Sequence, residues 1–206
     1  MNILAVDCCL KLTGTAIMTG GVIAAHEQED FGRRQTSELP HMCERVMNSA
    51  GLSWNELDYI AITNGPGYFT GIRVGAAYAS GLAYASGAKV IPVSTLNMLA
   101  FSHRKNSNAG KILSVIYAGH GFVYAECKGS LEAGEYSHGQ VMSWLGENPD
   151  AVIISDNPER TELDAEMLRV IPDVVSLCEI AAGILDAAVS PMELKICYYR
   201  APQGAV

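Results

Sequence analysis

Residues 3–6 read Ile-Leu-Ala-Val, and residues 112–115, in the second half of the chain, read Ile-Leu-Ser-Val. Each lies in a short apolar run of the kind that forms a buried strand; the second extends from Ile112 to Tyr117. Each run leads into hairpin-like sequence. TGTAIMTGGVIAAHEQ turns at Gly20-Gly21, and Phe122–Cys127 follows a glycine-broken link and runs into another glycine-containing turn. A repeat of this kind, though weak, constrains architecture before any single residue does. It predicts two related lobes, each led by a three-stranded β-unit.

Helical and strand-like segments alternate between and after these units. Leu39, Met42, Cys43, Val46 and Met47 fall at i, i+3, i+4, i+7 and i+8, an amphipathic stripe. Thr36 or Ser37 is the expected N-cap, with Pro40 in the first turn and Gly51 as the stop. LDYIAITN reads as a strand, and NGPGYFTGIRVG follows it with four glycines in one short loop. Beyond the loop, Gly71, Gly75, Ala79, Ala83 and Gly87 recur every four residues, so one helix face is wholly small. Glycine inside a helix costs about 1 kcal/mol relative to alanine, so such a face needs a compensating close contact. Two contacts would serve: the chain's own sheet, or a helix of a partner.

KVIPVSTLNMLA then gives a strand and a helix starting at Ser94 or Thr95. Asp150–Asp156 reads as a strand and Val174–Val189 as a helix, and the ending ELKICYYRAPQGAV suggests a last strand with a short tail. The class is α/β, with an N-terminal lobe over residues 1–105 and a C-terminal lobe over 106–206.

Composition excludes several functions. The formal charge of −8 has the wrong sign for a chain that grips nucleic acid by itself. The acids are unevenly spread, however. None lies between Asp58 and Glu126, an interval holding five of the fourteen Lys and Arg residues. Cys8, Cys9, Cys43, Cys127, Cys178 and Cys197 form no CxxC pair, and the histidines form no HxxxH, HExxH or HxH. Reduced, mostly buried thiols are expected, with no metal site and no membrane span. Met1 runs straight into strand-like sequence without a signal peptide, which points to the cytoplasm.

The glycine loop invites a test against phosphate chemistry. A Walker loop needs a lysine that reaches the phosphates, and here there is none. A dinucleotide turn needs GxGxxG and an acid about twenty residues on. Gly65-Pro66-Gly67-Tyr68-Phe69-Thr70-Gly71 is one residue too long, and no acid follows before Glu126. What remains is a strand-to-helix turn with Thr70 near the N-cap, whose free N–H groups attract anions as any helix start does. Asp7, Gly65, Gly67, Thr70, Gly71 and Arg73 are the candidate anion contacts.

GPGYFTGIRVGAAYASGLAYASGAKVIPVSTLNMLA resembles the signature of the TsaB (YeaZ-type) family: GPGSFTGLR, a small-residue helix, then a VSTL-like segment. The start ILAVD, the strand LDYIAITN, the Ser37-Glu38 pair and the near-terminal YYR also match, although only Gly65–Ala100 is specific. The resemblance implies the actin-like ATPase fold of the ribonuclease H-like class. It implies a supporting, non-catalytic role in threonylcarbamoyladenosine modification of tRNA next to the anticodon. The partners would be a TsaD-like catalytic subunit and a TsaE-like ATPase, with tRNA touched only indirectly. No cofactor would be held tightly, ATP or ADP entering only with the complex. Helices equivalent to Leu39–Ala50 and Thr70–Ser86 would meet the TsaD-like subunit, or a second copy when the chain is alone. The corresponding contacts here are Leu39, Met42, Cys43, Val46 and Met47 on one helix, and Gly75, Tyr78, Ala79, Leu82 and Ala83 on the other.

Related TsaD sequences carry a metal-binding HxxxH where this chain has Thr95 and Leu99. Three further departures from the family touch the lobe cleft. Tyr68 replaces a serine, Asp7-Cys8-Cys9 stands for Asp-Thr-Ser, and Tyr117-Ala118-Gly119 stands for Asp-Ala-Arg. The competing reading is a nucleotide- or metal-dependent transferase or peptidase of the same superfamily, which would need ligands that these residues do not supply.

Overall fold

The computed structural model describes residues 1–199. Its first sheet contains β1 (Asn2–Asp7), β2 (Thr13–Thr19), β3 (Val22–Glu29), β4 (Tyr59–Thr63) and β5 (Lys89–Val93), in the order β3-β2-β1-β4-β5. The second contains β6 (Ile112–Gly119), β7 (Phe122–Cys127), β8 (Leu131–Ser137), β9 (Val152–Ser155) and β10 (Leu168–Arg169), in the order β8-β7-β6-β9-β10. The two orders are the same. In each sheet an antiparallel three-stranded unit comes first, and two parallel strands then extend it from its first member. The repeat in the sequence is therefore a repeat in topology, with Ile3–Val6 and Ile112–Val115 in equivalent strands. This is the two-lobed actin-like ATPase plan.

The helices are α1 (Gln35–Ala50), α2 (Phe69–Ser86), α3 (Thr95–Arg104), α4 (His138–Glu147), the single turn α5 (Pro158–Thr161) and α6 (Val174–Ala182). Strand residues alternate between the two sides of the first sheet. Leu4 and Val6 of β1 join the α1 stripe and Ala79 and Ala83 of α2 in one core, while Ile3 and Ala5 meet Val174, Leu177 and Cys178 of α6 in another. The second sheet packs Val115, Val123 and Ala125 around Val141 of α4. Leu96 and Leu99 of α3, with Leu10, fill the space against Ile112, Ile116 and Ile154, so α3 is an apolar wedge between the lobes.

Several boundaries differ from the sequence reading. α1 starts at Gln35 after Arg34, with no side-chain cap, and Pro40 falls in its second turn. Ser37 instead donates to the Arg34 carbonyl at 2.9 Å. Gly51 ends α1 as expected, in a left-handed conformation. Gly87 has the same role after α2, so it caps the helix and is no member of its small face. The last helix stops at Ala182, where Gly183 follows, well short of Val189. Residues 194–199 form no strand, and the Arg200 of YYR lies outside the described residues.

A lobe boundary after residue 105 also misplaces α6. That helix covers the first sheet, and Lys105 ties the end of α3 to Asp173 and Glu179 beside it, at 3.2 and 2.6 Å. Among the described residues no helix is long and apolar enough to cross a membrane.

Candidate functional site

In open α/β sheets, ligands gather at the carboxyl ends of parallel strands. At that end of the first sheet sits Asp7, 1% exposed. Its Oδ1 accepts the Thr63 hydroxyl at 2.6 Å and the Cys9 N–H at 3.1 Å, while Oδ2 has no protein partner. Burial pushes its carboxyl above the ordinary range, and the two hydrogen bonds oppose that only in part. The Cys9 thiol donates to the Thr63 carbonyl at 3.2 Å, and burial, reinforced by Asp7, pushes it up to about 12.

The glycine loop closes on this same segment. A Cβ on Gly67 would lie 2.2 Å from the Cys9 carbonyl oxygen, and one on Gly71 would lie 1.9 Å from that of Cys8. The Tyr68 N–H donates to the Cys9 oxygen at 2.7 Å. Glycine at these two positions is therefore required by the close approach of the chain's own backbone. Gly65, at φ 107°, is hemmed in by the Cys197 carbonyl on its other side.

The anion-contact set does not converge. Asp7 is buried beneath the loop, whereas Thr70 and Arg73 are exposed on α2. Arg73 stacks on Phe69 at 3.7 Å and donates through Nε to the Tyr198 hydroxyl at 2.9 Å. α2 begins at Phe69 with Tyr68 as N-cap, so Thr70 lies near the cap as its second residue. Nor do the residues fit a metal. Thr95 and Leu99 are fully buried, and no group of three His, Cys, Asp or Glu among the described residues could hold an ion.

The second lobe meets the loop through Arg160 of α5. Its Nη1 donates to the Tyr68 hydroxyl at 2.9 Å, and its guanidinium lies 5.1 Å from the Tyr68 ring and 4.8 Å from that of Tyr117 on β6. Arg160 carries no motif and was not foreseen from sequence; only its two aromatic neighbours stand out there, as departures.

Most of the expected partner face is turned into the core. Leu39, Met42, Cys43, Val46 and Met47 are at most 2% exposed, and Gly75, Ala79 and Ala83 are buried too. Gly75 approaches Ile62 and Cys8, so the small face serves close packing on the chain's own sheet. Tyr78 and Leu82 are half-buried. The outward side of α1 is charged, with Arg45 forking onto Glu27 at 2.7–3.0 Å. The outward side of α2 is different. Ala77, Gly81 and Ala85 continue a second four-residue period from Arg73, all exposed, with nothing within 4 Å of a Cβ built on Gly81. Tyr84, 78% exposed, stands beside them. This second period was legible in the sequence but hidden behind the first.

Fold and site together define a two-lobed α/β protein of the actin-like class whose glycine loop is turned onto its own first strand. The chain belongs to the TsaD family: the family's sequence model, described as tRNA N6-adenosine threonylcarbamoyltransferase, matches residues 19–156. Among curated relatives it is similar to the tRNA threonylcarbamoyladenosine biosynthesis protein TsaB of Escherichia coli. The two are 31% identical over 153 residues, 74% of this chain and 62% of that protein. The TsaB of Haemophilus influenzae is 32% identical over 60% of this chain and 52% of its own length. The matched region thus spans between half and two thirds of those relatives.

In fold it is similar to YeaZ from Pseudomonas aeruginosa (TM-score 0.74, 22% identity, 96% of this chain and 99% of that one). A second structure, described as an uncharacterized Pseudomonas aeruginosa protein with similarity to peptidase YeaZ, gives a TM-score of 0.80 at 24% identity, covering 97% and 99%.

Proposed function

We propose that this chain is a non-catalytic subunit in the formation of threonylcarbamoyladenosine on tRNA, binding and supporting a TsaD-like catalytic subunit in the cytoplasm. The similarity to proteins named TsaB carries this reading. The chemistry supports the word non-catalytic. A transferase of this superfamily needs a phosphate cradle or a metal. Here the glycine loop lacks the lysine of a Walker loop and packs on the Cys8 and Cys9 carbonyls, and Thr95 and Leu99 stand where the resemblance implies metal ligands. The net charge of −8 supports tRNA contact through the partner rather than directly.

The docking face is the outward side of α2, centred on Ala77, Gly81 and Ala85, where small residues let another helix come close. In the absence of the catalytic subunit the same face pairs with a second copy. A TsaE-like ATPase joins the assembly, and ATP or ADP binds only there. The test is to co-express the chain with its cognate TsaD-like protein and assay tRNA threonylcarbamoylation with and without it. Modification that depends on this chain is expected; unchanged modification in its absence overturns the reading. Steady ATP hydrolysis or stoichiometric metal in the purified chain alone would favour the catalytic alternative.

A further inference from the structure

Arg160 lies across the junction of the two lobes and, like Arg73 on α2, packs against two aromatic rings. Its guanidinium faces two tyrosine rings, Tyr68 from the first lobe at 5.1 Å and Tyr117 from the second at 4.8 Å. It also donates to the Tyr68 hydroxyl at 2.9 Å. A planar cation between two aromatic faces gains from both quadrupoles, and a hydrogen bond to one ring's hydroxyl fixes its orientation.

From this geometry we infer that Tyr68, Arg160 and Tyr117 form an interlobe latch that ties the second lobe to the glycine loop of the first. The lobes already share the apolar wedge of α3, where Leu96 and Leu99 pack on Ile112 and Ile116. A wedge of non-directional contacts fixes neighbourhood more than angle. The latch adds a directional contact at a different place, between the N-cap of α2 and the turn after β9. Because Tyr68 also donates its N–H to Cys9, the latch holds the glycine loop against β1 from the second lobe. A substitution on the second lobe should therefore loosen a loop on the first. A merely decorative surface arginine would not do this.

Hydrogen exchange followed by mass spectrometry on the full chain tests the inference, comparing wild type with Arg160→Ala and, independently, Tyr117→Ala. Both variants are expected to exchange at least about threefold faster over residues 64–72, with β2 and β3 unchanged. Unchanged protection of residues 64–72 in both folded variants overturns the latch. So does an acceleration spread evenly over the chain, which would report general destabilisation instead.

Discussion

Gly71 and Cys8 are in such close contact that a Cβ on the glycine would sit 1.9 Å from the cysteine's carbonyl oxygen. Neither partner can yield, since one is in a helix and the other immediately follows a central strand. Gly71→Ala is expected to destabilise the chain by about 3 kcal/mol, the upper end of overpacking costs. Gly81, on the opposite side of the same helix, has open space around it. There the substitution to alanine should stabilise by about 0.5–1 kcal/mol, the ordinary helix-propensity difference. Urea titration of both variants checks the pair; equal effects would mean that Gly71 is not held where the contact requires.

Asp7 makes stability depend on pH in a definite direction. Its folded pKa is raised above the ordinary 3.8, chiefly by burial. The folded state therefore binds its proton more tightly, and the contribution is complete below 3.8 and lost as pH rises through the folded value. Asp7→Asn keeps an acceptor for Thr63 and Cys9 and cannot ionise. The variant is expected to be at least as stable as wild type at neutral pH, with its advantage shrinking as pH falls towards 3.8. Melting temperatures measured from pH 4 to 8 decide it, and a variant that loses ground as pH rises would contradict the assignment.

The thiols should divide five to one. Cys8, Cys9, Cys43, Cys127 and Cys178 are buried, and Cys197 alone is partly accessible. Burial holds Cys9, Cys43 and Cys178 at about 12, so they are neither exposed nor ionised at neutral pH. A thiol reagent at pH 8 should titrate one cysteine in the native protein and six in denaturant. Cys197→Ser should abolish the native reaction, whereas rapid modification of two or more native thiols would contradict the division.

The repeat, the three-stranded unit leading each lobe and the helix after the glycine loop were legible because hydrophobic period and glycine placement act locally. What faces what was not. The stripe Leu39–Met47 and the small face Gly75–Ala83 look alike in sequence whether they meet a partner or the chain's own sheet. Only the position of β1, β2 and β4 beneath them settles the choice. Arg160 was invisible for a related reason. Its role comes from two rings distant in sequence, and nothing in Pro158–Thr161 announces it. The early end of the last helix follows from Gly183, which the apolar pattern around it outweighed on the page.

That reversal decides which variants can test docking. Val46 and Ala79 face the core at 1% and 0% exposure, so Val46→Glu or Ala79→Arg buries a charge without a partner and unfolds the chain. Loss of binding by either would say nothing about a docking surface. Ala77 and Gly81 are exposed on the other side of α2, where arginine meets solvent. Ala77→Arg and Gly81→Arg are expected to melt within a few degrees of wild type, and to weaken co-purification with the TsaD-like subunit at least about tenfold, the scale of a central interface position. Glu44→Ala on the charged outward side of α1 should leave binding within about twofold. Wild-type binding by both folded arginine variants would move the docking face away from α2.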